Sequence, residues 1–186
     1  MNHSILCPPN RRLAAIFTIA LLALSPVANA QPRPGAPEAN PLAMRIVADP
    51  KFRGAVTAFD RDFERYVAEL IKLTEIPAPP FGEWARSQAY LAMLKDAGLE
   101  NVEQDTEGNV MGLWRGKSGG LVPLLAVAAH LDTVFPEGTD VKVKRAGTRL
   151  MAPGIGDDTR GLATILALVR AMRDAKVETA GDILFI

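Results

Sequence analysis

Two short stretches carry residues that could do chemistry. The first is "VAAHLDTVFPEG", residues 127–138, where an apolar run ends in His130 and Asp132 follows two positions later. In an extended segment, residues i and i+2 point to the same side, so Asp132 can reach the imidazole from behind. A metal-bound histidine commonly donates its second ring N–H to such a carboxylate, which fixes tautomer and orientation. Alone, H-x-D is short and arises by chance, and it equally describes a surface histidine at a strand end with Asp132 capping a turn. The second stretch is Gly154-Ile155-Gly156-Asp157-Asp158-Thr159-Arg160-Gly161, which leads into an apolar helix. One aspartate suits a helix N-cap and the positive end of the helix dipole. Two adjacent aspartates leave one carboxylate over. The flanking glycines let the backbone approach closely, and a carboxylate held there can bind a metal through one or both oxygens.

These residues need elements to position them. "TAFDRDFERYVAELIKLTE", residues 57–75, places most of its apolar side chains at helical spacing and predicts one amphipathic helix. "IPAPP" stops it, since proline and the residue before it resist helix. Glu83 to Ala97 predicts a second helix with Ala89, Leu91, Ala92, Met93 and Leu94 toward a core, capped by Gly98. "NVEQD" and "NVMGLWRG" predict two strands around a turn at Glu107-Gly108. After Gly119-Gly120, "LVPLLAVAAH" is a continuous apolar run, which predicts a strand covered on both faces in the middle of an α/β sheet. Residues 141–151 predict a short β pair turning at Ala146-Gly147. "TRGLATILALVRAMRDA" predicts a helix with Leu162, Ile165, Leu166, Val169 and Met172 on one face, and "GDILFI" opens another strand. That strand has no turn, cap or polar tail after it, so a truncated chain is expected. His130 then falls at the carboxyl end of a strand, where ligands gather in open α/β sheets.

The N-terminus reads separately. Arg11 and Arg12 precede an apolar run from Leu13 to Leu24, and Ala28-Asn29-Ala30 follows. A positive start, a short apolar run and an A-x-A ending predict a secretory signal peptide, residues 1–30, cleaved after Ala30. The run is too short for a membrane anchor, which takes about 20 apolar residues. Residues 31–41, "QPRPGAPEANP", read as a Pro-rich linker, and residues 42–186 as the folded domain. The expected location is periplasmic or secreted; the bare arginine pair does not separate the general export route from the twin-arginine one. Cleavage removes Cys7 and His3, so His130 is the only histidine of the mature chain and no cysteine remains. It also takes Lys+Arg from 21 to 19 against 21 Asp+Glu, a net charge of −2. The only tight basic cluster, Lys142, Lys144 and Arg145, has no aromatic residues between its members, so nucleic-acid binding has no support.

Taken together, the order apolar strand, H-x-D, insertion, G-x-G-D-D, amphipathic helix, apolar strand resembles the M20 family of zinc metallopeptidases and amidohydrolases. "HLDTV" and "GIGDD" look like its two N-terminal metal motifs, and "IPAPP" looks like its N-terminal region; the resemblance runs from near Phe59 to Ile186. It implies an α/β catalytic domain, here incomplete, with a central mixed sheet flanked by helices. It implies that His130 ligates one zinc ion, that Asp132 orients His130 as a catalytic residue, and that Asp157 bridges two zinc ions. Asp158 follows as a secondary site residue, with a cis peptide between the two aspartates. The family's commoner Asp, one residue, Lys, Gly becomes Asp157, Asp158, Thr159, Arg160, Gly161 here, one residue longer, with Arg160 in place of the lysine. The resemblance further implies a small peptide or N-acyl amino acid substrate, a glutamate general base and further ligands beyond Ile186, and room for a homodimer of the full-length protein. A chain with only His130 cannot build a two-histidine metal site, so residues 31–186 alone are expected to be inactive. If the metal reading holds, donor atoms of His130 and Asp157 stand within about 3–4.5 Å of each other.

Two other readings compete. M28 aminopeptidases share a similar H-x-D and Asp-Asp pair, and "HLDTV" with the chain around "IPAPP" favours M20 over them. A non-catalytic periplasmic binding protein fits the signal peptide but has no need of His130.

Overall fold

The structure is a computed structural model, and it describes residues 40–120 and 124–186. The expected signal peptide, the linker up to residue 39, and residues 121–123 of the apolar run lie outside the described residues. The last two linker positions are helical boundary residues: Asn40 caps α1 (Pro41–Ala48) and accepts from the Leu42 N–H at 2.9 Å, and Pro41 opens it. Proline tolerates the first helical position because its missing N–H has no partner there anyway. Asp49 repeats the device, accepting from Lys51 N at 2.7 Å at the start of α2 (Pro50–Arg61).

The single helix expected over 57–75 is two helices. α2 ends at Arg61, Asp62 leaves helical geometry, and α3 runs Phe63–Thr74. The Asp62 carboxylate binds the Arg61 guanidinium at 2.8 and 3.1 Å. Aspartate is a weak helix interior residue that competes for local hydrogen bonds. A one-residue break leaves the apolar spacing nearly in phase, so periodicity did not register it. Val67, Leu70 and Leu73 of α3 are buried, whereas Phe63 is exposed.

α4 spans Trp84–Ala97 and ends on Gly98, whose φ of 91° is the left-handed cap expected there. Its buried stripe is Arg86, Ser87, Tyr90, Leu94 and Ala97; Leu91 and Met93 flank it and Ala92 is exposed. The inward face is therefore rotated from the expected one, toward a charged residue that hydropathy places outside. β1 (Glu100–Gln104) and β2 (Val110–Trp114) form the expected hairpin, with Gly108 at φ 93° in the turn. β3 spans only Leu125–Val127, and β4 (Lys144–Ala146) pairs with β5 (Arg149–Met151) as a separate hairpin. α5 (Thr159–Asp174) and β6 (Ile183–Phe185) complete the order.

The main sheet runs β1-β2-β6-β3, with β3 and β6 parallel and the other pairs antiparallel. It is a mixed sheet in an α/β arrangement. Its core joins Leu73, Tyr90 and Leu94 of the helices and Leu162, Ile165, Leu166 and Val169 of α5 to Val110, Ile183 and Phe185 of the strands. β3 differs from expectation: among the described residues it is an edge strand paired with β6 alone, with Leu124 and Leu125 exposed. Apolar composition reports what a strand can bury, not what is present to cover it. Beneath α3 and α5, Arg170 donates to both oxygens of Glu69 at 2.9 and 2.6 Å. Among the described residues no helix is long and apolar enough to cross a membrane.

Candidate metal centre

β3, α5 and β6 form a parallel β-α-β unit, with the β4-β5 hairpin inserted between β3 and α5. A connecting helix runs back against its strands, so the start of α5 lies at the carboxyl end of β3. The topology thus brings the end of "VAAHLD" to the loop "GIGDD". His130 Nε2 stands 2.9 Å from Asp157 Oδ1, and His130 Nδ1 stands 3.0 Å from the Asp132 carbonyl and 3.1 Å from Asp132 Oδ1. Both ring nitrogens therefore face oxygen. The Asp157 hydrogen bond holds the imidazolium above its ordinary pKa; burial opposes it, and the Asp132 charge adds to the rise.

The two aspartates part company. The Asp157–Asp158 peptide is cis. The Asp157 side chain is 90% exposed and points at the imidazole. Asp158 is the N-cap of α5 and its Oδ1 accepts from Gly161 N at 3.0 Å. A Cβ on Gly161 would run into both Asp158 carboxylate oxygens, so glycine there is what leaves room for the cap.

Other residues lock the loops together. Gly154 has φ 76°, and a Cβ on it would stand 2.6 Å from Thr133 Cγ2, just past the H-x-D turn. Thr159 Oγ1 donates to the Gly154 carbonyl at 3.0 Å and lies 2.8 Å from Thr74 Oγ1 at the end of α3. Thr133 donates from N and Oγ1 to the Ala78 carbonyl at 2.8 and 3.2 Å. Arg86, wholly buried, donates to the Leu131 carbonyl at 2.6 Å and twice to that of Ile76, at 3.2 and 2.6 Å. Burial pushes its pKa down to about 10, with the charges of Asp132 and Glu83 opposing. Sequence reasoning passed over Arg86, Thr133 and Thr74. A cation in phase with Tyr90 and Ala97 on α4 was the available signal for Arg86; the threonines gave none. A cleft of about 530 Å³ opens beside His130 and Asp132, walled by Phe81, Trp84 and Asn109.

The donor chemistry suits a divalent metal in part. Imidazole nitrogen and carboxylate oxygen are ordinary zinc ligands. The His130–Asp157 separation of 2.9 Å is a hydrogen-bond distance, just short of the range for two ligands of one ion, and the Asp157 side chain is exposed. The imidazole already has its second nitrogen occupied by Asp132, the arrangement that orients metal-bound histidines. Among the described residues no group of three or more His, Cys, Asp and Glu side chains is arranged to hold a metal ion, and His130 with Asp157 offers two donors.

The fold has counterparts among known proteins. Among solved structures, the di-peptidase Dug1p from Saccharomyces cerevisiae superposes with a TM-score of 0.58 at 14% identity, over 72% of this chain and 33% of that one. The aminopeptidase PepT from Bacillus cereus superposes with a TM-score of 0.55 at 24% identity, over 66% of this chain and 35% of that one. At such identities the likeness is one of fold, and the chain spans about a third of the length of these structures. No curated protein matches the sequence. The segment that holds β3, both motifs, α5 and β6, residues 126–186, matches the family model of peptidase family M20/M25/M40.

Proposed function

We propose that this chain carries the first metal-binding part of a zinc-dependent peptidase or amidohydrolase that cleaves peptide or N-acyl amide bonds. The observation that supports it most is the meeting of His130 Nε2 with Asp157 Oδ1, while Asp132 occupies the other ring nitrogen. In this reading His130 and Asp157 are ligands, with Asp157 shared between two ions. Asp132 keeps the imidazole proton on Nδ1, so that Nε2 presents its lone pair outward. Asp158 serves the site from behind, by capping the helix that holds Asp157. Zinc bound there would polarise the scissile carbonyl and lower the pKa of a water held between two ions. The family match and the fold shared with a di-peptidase and an aminopeptidase support a peptide substrate. The resemblance assigns the general base and the remaining ligands to residues other than those of this sequence, so the chain by itself is proposed not to hydrolyse. Export after cleavage at Ala30 and a homodimer of the full-length protein complete the proposal.

Zinc affinity, measured by competition with a chromophoric chelator, tests it. His130→Ala and Asp157→Ala each lower affinity at least tenfold, and Asp132→Ala lowers it about tenfold through lost orientation. Equal binding by the unaltered chain and His130→Ala would sink the metal reading.

A further inference from the structure

We propose that Arg86 is a positioning residue for the His130–Asp132 turn, which it holds by the Leu131 carbonyl; the link to metal ligation rests on the function proposed above. Leu131 lies between the two site residues. Its carbonyl accepts from Arg86 Nη1 at 2.6 Å, and the other arm of the same guanidinium donates to Ile76. A carbonyl tied to a buried cation fixes the rotation of the peptide that joins Leu131 to Asp132, and His130 and Asp132, two residues apart, then share one side. The Ile76–Ala78 segment grips the turn at a second point, through Thr133 and the Ala78 carbonyl. Asp132 stands between the two anchors.

Packing alone does not account for an arginine here. Arg86 has no exposed surface, and among the described residues its guanidinium donates only to main-chain carbonyls, those of Leu131 and Ile76. A buried cation carries a desolvation cost that an apolar side chain of similar volume avoids. The feature in use is the planar fork, which reaches two separate carbonyls at once in a fixed geometry. Lysine keeps the charge and lacks the fork.

Arg86→Met and Arg86→Lys in the full chain separate positioning from bulk stability. The expected Met variant folds with a lowered melting temperature, since the Leu131 and Ile76 carbonyls lose their donor, and binds zinc ten- to a hundredfold more weakly. Its Thr133 amide loses protection from hydrogen exchange, while α5 amides keep theirs. The Lys variant does not restore either property. Unchanged Thr133 protection in the Met variant overturns the proposal. So does equal loss of protection in α5, or failure of both variants to fold, since each marks a purely structural arginine. If the unaltered chain and His130→Ala bind zinc alike, the metal reading fails, and Thr133 exchange still decides whether Arg86 holds the turn.

Discussion

Asp157 and Asp158 are chemically identical neighbours that the fold gives different work. Asp158 caps α5, so Asp158→Ala is expected to cost about 1 kcal/mol, the usual worth of an aspartate cap, with zinc affinity nearly kept. Gly161→Ala is expected to destabilise comparably by crowding the same carboxylate; urea unfolding with parallel zinc titration checks both. His130 supplies a pH signature. Its pKa is raised in the folded chain, mainly by Asp157 and then Asp132. A raised folded-state pKa means that the contact's stability is fully present below the unfolded value, about 6.5, and is lost as pH rises through the folded value. Zinc needs the neutral imidazole, so its affinity rises across that same window. Melting of the metal-free chain should therefore fall slightly with rising pH while zinc binding strengthens, and His130→Gln should remove both trends. Identical melting profiles for the two chains would contradict this.

At the scale of elements, the site depends on how α3, α4 and α5 meet the end of β3. The Thr74–Thr159 contact ties the end of α3 to the first residue of α5, and both residues are fully buried. Thr74→Val and Thr159→Val should each cost about 1 kcal/mol, with less than additive loss in the double variant, because one hydrogen bond is shared. Gly154→Ala should destabilise more than an exposed glycine change, since both its positive φ and Thr133 oppose a Cβ. Much of this layer was legible. The α5 stripe of Leu162, Ile165, Leu166, Val169 and Met172 is buried as its spacing predicted, and Gly98 caps α4. What escaped notice was local or non-local in specific ways. The break at Asp62 is too short to shift the apolar phase, and Arg86 is buried because distant carbonyls receive it.

Across the whole molecule, the buried pair Glu69–Arg170 joins α3 to α5. Removing one partner strands the other, so Glu69→Leu should cost about 3–5 kcal/mol, and Glu69→Leu with Arg170→Met should recover most of it. Urea midpoints measure both. For function, the chain supplemented with zinc is expected to release no detectable product from dipeptides or N-acyl amino acids, by amine detection. Turnover that His130→Ala abolishes would overturn that expectation.

The sequence by itself determined the two motifs, the helix and strand types around them and the capping chemistry, because these depend on residue type and short spacing. Tertiary structure alone decided how Asp157, already singled out by the motif, meets the imidazole, that β3 is an edge strand among the described residues, and that a buried arginine holds the turn. Each of those depends on contacts between residues far apart in sequence: Asp157 meets His130 because α5 returns against the sheet, and Arg86 on α4 reaches the Leu131 carbonyl in the loop after β3. Residue spacing carries no record of such meetings until the chain is folded.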